Sequence, residues 1–171
     1  MWMLLTGNRM LDIVNHTAFK GINIPLFKKR IYGWLAINYN YIKDFENAIQ
    51  FHEAVILFDN GTIETTQFYE INNYLHTLIY AQHYNRAISV ADTYLYNNQF
   101  IPNIDRVSLV LAYAYLFKND SVSAIKTIIN IDSKLDEYCK IQERFMYLIS
   151  FCIDGDYTLA QNELGNLKSF L

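Results

Sequence analysis

The amino-acid sequence predicts an all-α protein made of stacked, antiparallel pairs of helices. Three observations support this prediction. The 171 residues include only two prolines and six glycines, so few positions interrupt a helix. Apolar residues recur at intervals of three and four, which is the spacing of one helix face. A motif built around alanine also returns at nearly constant intervals, and such a period is typical of stacked repeats.

Each predicted pair of helices consists of two apolar stripes with a short polar break between them. The first pair comprises residues 32–42 and 48–55, which Lys43-Asp44 separates. Aspartate is a preferred residue before a helix because its carboxylate accepts hydrogen bonds from the free amides of the first turn. Asn119-Asp120 and Gly155-Asp156 predict the same break in two later pairs.

The period is measured by the small residue early in the second helix of each pair. These residues are Ala48, Ala87, Ala124 and Ala160, at spacings of 39, 37 and 36. The residues four positions before them are Asp44, His83, Asp120 and Asp156. The residues three positions before them are Phe45, Tyr84, Ser121 and Tyr157. We expect the alanines to let the two helices of a pair approach closely. We expect the aromatic rings to fill the gap between successive pairs.

The repeated units resemble tetratricopeptide repeats (TPRs). The best match on the first helix is the set Tyr32, Leu35, Ala36 and Tyr39, and on the second helix Asp44, Phe45, Ala48 and Ile49. The resemblance covers residues 29–171. It implies an all-α, right-handed α-α superhelix that forms a single array, with repeats at 29–67, 68–104, 105–140 and 141–171. Leu75 and Leu148 depart from the pattern because they replace its small residue, and the spacings exceed the usual value of about 34.

The N-terminal residues 1–28 predict a partial hairpin. The pair Gly7-Asn8 is typical of a turn, and the apolar stretch after it predicts a helix. In this register, the first five residues form the end of a helix whose earlier part is absent. Trp2, Leu4 and Leu5 are then an apolar surface without its usual cover, which predicts self-association through the N-terminal helix. The alternative that the chain is cut from a longer array stays open.

Composition and charge argue against several classes of function. The net charge is −3 and the pI is about 5.7, whereas nucleic-acid binding needs a clustered cationic surface. We interpret the short basic run Lys28-Lys29-Arg30 as the solvated start of a helix.

Cys139 and Cys152 are expected to be reduced cysteines that pack in the core. No segment predicts a signal peptide or a membrane span, so we expect a cytoplasmic protein without membrane association.

No motif for catalysis, cofactor binding or metal binding is found in the sequence. It contains no phosphate-binding glycine loop, no cysteine pair with metal-ligand spacing and no nucleophile elbow. His76 and His83 are seven residues apart, but in the repeat register His83 lies in a turn whereas His76 faces the inner surface. We therefore expect a protein that is not an enzyme and that binds neither a cofactor nor a metal.

The TPR resemblance implies that the first helix of each hairpin lines a concave groove. The implied positions are Gly33, Ile37, Asn40, Tyr41, Asn72, His76, Ile79, Tyr80, Leu109, Tyr113, Leu116, Phe117, Phe145, Ile149, Cys152 and Ile153. Among them we expect a peptide or protein partner to contact Tyr41, Asn72, His76, Tyr80, Tyr113 and Phe117. For Leu109, Leu116, Phe145 and Ile149 we favour the core over the groove. These positions lack the cations with which some TPR proteins bind a terminal carboxylate, so that mode is not expected.

These features predict a non-catalytic scaffold or adaptor that binds a polypeptide segment in its groove. An alternative is a regulatory or sensor segment of a larger bacterial signalling or transcription-regulatory protein, which binds a small peptide signal. An enzyme and an RNA-binding helical repeat are the remaining alternatives. Both lack support from the charge and the motifs.

Overall fold

The computed structural model of the chain describes residues 2–16, 24–58, 61–98, 104–131 and 137–170. Within these ranges the chain forms nine α-helices and no strand, which confirms the all-α prediction. Their bounds are α1 Trp2–His16, α2 Ile24–Tyr41, α3 Phe45–Ile56, α4 Phe68–Tyr80, α5 Tyr84–Asn97, α6 Ile104–Phe117, α7 Ser121–Ile129, α8 Glu137–Asp154 and α9 Tyr157–Phe170.

The chain divides into two compact units, Met1–Gln82 and His83–Leu171. The first unit contains α1 to α4, and each of these helices packs against the next one. The second unit contains α5 to α9. There, consecutive helices also pack together, and α6 contacts α8. The small apolar core of the first unit includes Val14, Ile31 and Leu35. The core of the second unit includes Leu109, Ala112, Leu116, Ala124, Ile128, Cys139 and Met146.

The turns between paired helices repeat one backbone geometry. Each turn contains one residue in the left-handed conformation, with a positive φ. These residues are Lys43 (62°), Gln82 (62°), Asn119 (58°) and Gly155 (75°). These four residues have the same spacings as the four alanines. In three of the turns the next amide donates to a carbonyl five residues earlier, at 2.9 to 3.0 Å, which is the bond that closes a Schellman motif. The repeat is therefore present in the backbone as well as in the sequence.

The predicted aspartate caps are confirmed. Asp44 accepts a hydrogen bond from the amide of Asn47 at 3.4 Å. Asp120 accepts one from Ser123 at 3.0 Å, and this bond lowers the pKa of the Asp120 carboxyl. Asp156 accepts one from Leu159 at 3.1 Å. His83 makes no such side-chain bond. The alanines that follow these caps, Ala48, Ala87, Ala124 and Ala160, are all buried.

The first residue of a second helix contacts the last residue of the first helix that follows. In the first unit the rings of Phe45 and Tyr80 lie 6.4 Å apart. In the second unit Tyr84 stacks on Phe117 with centroids 5.6 Å apart. Ser121 occupies the same repeat position, and its hydroxyl donates to the carboxylate of Asp154. The predicted role of the aromatic rings is confirmed for Phe45 and Tyr84, a hydrogen bond takes its place at Ser121, and Tyr157 is exposed.

The predicted turn at Gly7-Asn8 is wrong, because α1 continues through both residues. A Cβ atom built on Gly7 would lie 2.4 Å from Cζ3 of Trp34 and 2.6 Å from Cδ2 of Leu35. The glycine therefore allows α1 to approach α2 closely. Of the predicted N-terminal apolar surface, Leu5 is exposed. The side chains of Trp2 and Leu4 lie outside the described part of the chain.

The assignment of aliphatic residues to the core is correct for α6 and wrong for α8. Leu109 and Leu116 are buried, but Phe145 and Ile149 are 42% and 41% exposed. The core-facing positions of α8 are Cys139, Met146 and Ser150, which are all buried. Each residue turns a helix by about 100°, so the positions immediately before Met146 and Ser150 lie on the neighbouring face.

Candidate partner-binding groove

Two adjoining cavities lie between α2 and α4 in the first unit, above α3. The first has a volume of about 470 Å³ and the second about 850 Å³. They share Ile37, His52 and Asn73 as lining residues and so adjoin each other; we call the two cavities together the groove. The first cavity is also lined by Leu26, Lys29, Arg30, Gly33, Trp34, Val55, Gln67, Tyr69 and Glu70. The second is also lined by Asn40, Tyr41, Lys43, Phe45, His76 and Tyr80.

The first cavity combines aromatic walls with an ion pair. Trp34 and Tyr69 are both exposed and line it from α2 and α4. Nζ of Lys29 lies 3.4 Å from Oε2 of Glu70, which ties the same two helices together. Gly33 lines the α2 side, where an added Cβ atom would make only ordinary contact with Val55, at 3.9 Å. The cavity therefore suits a sizeable apolar side chain next to charged groups.

The second cavity is bordered by aromatic rings. Tyr41 is 82% exposed and Tyr80 is 57% exposed. Tyr80 stacks on His76 with ring centroids 6.2 Å apart and also contacts Phe45. This packing fixes the Tyr80 ring while leaving one side of it accessible. Tyrosine is a good contact residue because its rigid ring offers a large apolar area and ends in a hydroxyl.

A buried histidine forms part of the floor of both cavities. Nε2 of His52 lies 3.1 Å from Oγ1 of Thr77, whose hydroxyl donates to the carbonyl of Asn73 at 3.0 Å. Because the threonine proton is used in that bond, the threonine oxygen accepts the proton of His52. Burial lowers the pKa of His52 to about 4, and burial also lowers the pKa of His76. Both imidazoles are therefore neutral at pH 7.

Two buried oxygen atoms of groove residues lack a hydrogen bond from any described residue. They are Oδ1 of Asn40, in the second cavity, and Oε2 of Glu70, in the first. Nearly all buried polar atoms in proteins have a hydrogen-bond partner, so each of these atoms needs an explanation. Oε2 of Glu70 already faces the ammonium group of Lys29 at 3.4 Å, whereas Oδ1 of Asn40 is left without a donor among the described residues.

The structure brings together three of the predicted contact residues, Tyr41, His76 and Tyr80, around the second cavity. On α4 the groove face carries Asn73 beside His76, whereas Asn72 lines neither cavity. Oδ1 of Asn72 is buried without a hydrogen bond from the described residues. Positions 69, 73, 76 and 80 follow one another at intervals of four, three and four, which is one helix face.

The other two predicted contact residues, Tyr113 and Phe117, belong to the second unit. Tyr113 is half-buried and packs against the core cluster of that unit. Phe117 is 57% exposed and stacks on Tyr84. They do not line the groove described above.

Sequence reasoning missed several groove residues. They are Lys29, Arg30, Trp34, Lys43, Phe45, Tyr69 and Glu70. A signal for three of them is present in the sequence. Arg30, Trp34, Ile37 and Tyr41 follow one another at intervals of four, three and four, and Tyr69 precedes Asn73 by four.

Neither a metal site nor a membrane-spanning helix is present among the described residues. Across the ranges given above, no group of three or more histidine, cysteine, aspartate or glutamate residues is placed to hold a metal ion. Among the helices that the structure describes, none is both long and apolar enough to cross a membrane.

Comparison with known proteins identifies the fold and no family. No protein-family model matches the chain, and no curated protein sequence matches it significantly. Two crystal structures do match, both of the nearly identical TPR-like repeats of a putative kinesin light chain from Podosopora anserina, one of them a variant. Each is 12% identical in sequence, and the match covers 98% of this chain and 84% of the other. The TM-scores are 0.75 and 0.74. The chain therefore has the fold of a TPR-like helical repeat protein.

Proposed function

We propose that this protein is a non-catalytic protein–protein interaction module that binds a polypeptide segment along the groove between α2 and α4. The observation that carries the proposal is that the two cavities adjoin, with exposed aromatic rings along both helices. TPR-like folds commonly act as interaction scaffolds, and this supports the proposal at the level of fold.

The shape of the groove favours an elongated ligand. Its two cavities are joined through Ile37, His52 and Asn73, and they extend from Leu26 near the start of α2 to Tyr41 at its end. At 1.5 Å per residue, this stretch of helix is about 22 Å long. A small molecule would fill only one part of it, whereas an extended segment of six to seven residues spans it all.

The aromatic residues would supply most of the binding free energy. Tyrosine and tryptophan dominate interface hot spots because they bury a large area at a small cost in conformational entropy. Tyr41, Tyr80 and Trp34 are therefore the proposed anchors. Asn73 and His76 would hydrogen-bond the backbone of the segment, and Oδ1 of Asn40 would accept one of its amides.

A selection of random twelve-residue peptides, displayed within a carrier protein, tests this function. The full chain is the target, and the selected peptides are tested again on the triple variant Tyr41→Ala, His76→Ala, Tyr80→Ala. We expect specific peptides to bind the parent and to lose at least tenfold in affinity on the variant. The control is Tyr96→Ala, which removes an exposed tyrosine of α5 and should leave affinity unchanged. Failure to enrich any peptide on the parent would contradict the proposal.

A further inference from the structure

We propose that the segment bound by the groove is acidic, and that its side-chain carboxylates pair with Arg30 at one end and Lys43 at the other. This inference rests on the proposed function of the same groove and specifies the chemistry of its partner.

The lining of the groove is positively charged in a protein that is negatively charged as a whole. Lys29, Arg30 and Lys43 line the two cavities, and Glu70 is the only carboxylate among the described residues that line them. The chain has a net charge of −3. His52 and His76 add no positive charge at pH 7, because burial lowers the pKa of both. The groove therefore attracts carboxylates.

Two of the three cations are available to a partner. Lys29 already pairs with Glu70 at 3.4 Å. Neither Arg30 nor Lys43 forms an ion pair or side-chain hydrogen bond with any residue that the structure describes. The carboxylate nearest to Lys43 in sequence is Asp44, which is engaged by the amide and side chain of Asn47 at 3.4 and 2.8 Å. Arginine can bind a carboxylate through two parallel hydrogen bonds, so the Arg30 end is the stronger one.

The distance between these cations sets the spacing of the partner's carboxylates. Arg30 and Tyr41 are eleven residues apart in α2, and Lys43 follows in the turn, so the Cα atoms of the two cations are about 17–20 Å apart. An extended chain advances about 3.3 Å per residue, so carboxylates about six residues apart would reach both.

The residues between the two cations determine what lies between the carboxylates. Trp34, Ile37 and Tyr41 continue the helix face that begins at Arg30. All three are exposed and predominantly apolar. The middle of the partner segment should therefore carry a large apolar residue, seated in the first cavity between Trp34 and Tyr69.

The same charges do not favour a nucleic acid. Nucleic-acid binding depends on a cluster of cations that neutralises many phosphates, which follow one another at intervals of a few ångströms. The groove offers two available cations about 20 Å apart, with an apolar surface between them. A polypeptide with carboxylates at two positions and an apolar centre fits this arrangement better.

The test uses the random peptides described above, scored now for their charge. We expect the peptides that bind the full chain to have an excess of aspartate and glutamate at two positions about six residues apart. Each peptide is presented internally in the carrier, so a free C-terminus is not part of the ligand. The affinities of the best three are then measured by fluorescence anisotropy on the parent and on the double variant Arg30→Glu, Lys43→Glu.

The double variant should weaken binding by at least tenfold. The control Lys126→Glu, Lys168→Glu makes the same change in net charge on the exposed surface of the second unit, and should leave affinity within twofold. Replacing the carboxylates of a selected peptide by lysines should restore its binding to the charge-reversed variant. An unchanged melting temperature of that variant confirms that the fold is intact.

Four outcomes would overturn the inference, and they differ from one another. Neutral or basic peptides that still require Tyr41, His76 and Tyr80 would leave the proposed function intact and refute the acidic partner. Acidic peptides that bind the charge-reversed variant as well as the parent would refute the roles of Arg30 and Lys43. Binding of a twelve-residue single-stranded oligothymidylate as tight as that of the best peptide would show a general polyanion surface. Failure to enrich any peptide would refute the proposed function itself.

Discussion

The imidazole of His52 donates to the hydroxyl of Thr77 across 3.1 Å and so joins α3 to α4 beneath the groove. The two residues are buried, and the hydroxyl in turn donates to the carbonyl of Asn73. A second polar link joins the same helices, because the hydroxyl of Tyr74 on α4 donates to Oε1 of Glu53 on α3 at 3.0 Å. The bond between His52 and Thr77 couples the stability of the first unit to the position of a residue that lines both cavities.

The pH dependence of stability should report the state of His52. Its pKa is about 4 in the folded protein, against an ordinary value near 6.5, so the unfolded chain takes up a proton first as the pH falls. The stabilisation is fully present above about pH 6.5 and is lost as the pH falls towards 4, up to about 3 kcal/mol. His76, whose pKa burial also lowers, acts in the same direction. Tyr74 contacts the His52 ring and stays neutral, because burial raises its pKa to about 12.

Urea unfolding of the parent and of His52→Gln between pH 7.5 and 5 measures this effect. The free energy of unfolding of the variant should fall much less between pH 7.5 and pH 5, because it has no imidazole to protonate at this position. If the free energy of unfolding depended on pH in the same way in both proteins, His52 would be accessible to protons in the folded state.

Removing the partner of His52 should cost more than removing an ordinary threonine hydroxyl. Thr77→Val leaves a buried N–H group without an acceptor, which costs about 1–3 kcal/mol. Thr93→Val is the matched control, since Thr93 makes the same bond to a carbonyl four residues earlier but lies near the surface. We expect the control to change the free energy of unfolding by less than about 0.5 kcal/mol. Equal effects of the two substitutions would mean that the bond between His52 and Thr77 adds nothing to the stability of the protein.

A methyl group at Gly7 should have the opposite effect to one at Gly165. Gly7→Ala places a Cβ atom 2.4 Å from the ring of Trp34, so it should destabilise the protein by about 1–3 kcal/mol and shift the tryptophan fluorescence. Gly165→Ala meets nothing within 4 Å, and it should stabilise α9 by about 0.5–1 kcal/mol because alanine favours the helix. The melting temperatures of the two variants show whether each substitution stabilises or destabilises the protein. A stabilising Gly7→Ala would show that α1 does not press against Trp34.

Overpacking tests the repeated alanine. Ala124 is fully buried between paired helices, so Ala124→Trp should destabilise by at least about 1–3 kcal/mol. The neighbouring Val122 is 72% exposed, and Val122→Trp should therefore be nearly neutral. If both variants have the melting temperature of the parent, the repeated alanines do not mark contacts between helices.

The features predicted correctly from the sequence depend on neighbours along the chain. Asp44, Asp120 and Asp156 cap helices that begin at the next residue, and the alanines mark the close approach of helices joined by a short turn. Such local signals repeat in every hairpin, so an error in one hairpin is corrected by the others. The helical-repeat fold follows from them.

The features that the sequence does not show depend on contacts between residues far apart in the chain. Gly7 has the composition of a turn, and only its contact with Trp34, 27 residues later, explains a glycine within a helix. The prediction of Asn72 differs from the observed groove face at Asn73 by one residue, or about 100° of helix rotation. The charged groove residues Lys29 and Arg30 looked like a solvated helix start, because the sequence does not show that α4 packs beside them.

Hydrogen exchange on the full chain, with and without a peptide selected on it, tests the central claim most directly. Backbone amides are followed by mass spectrometry over all nine helices. If the partner lies in the groove, protection on binding should concentrate in residues 26–41 of α2 and in α4 with its N-cap, Gln67. Protection confined to α6 and α8, with α2 and α4 unchanged, would contradict the account and place the partner on the second unit.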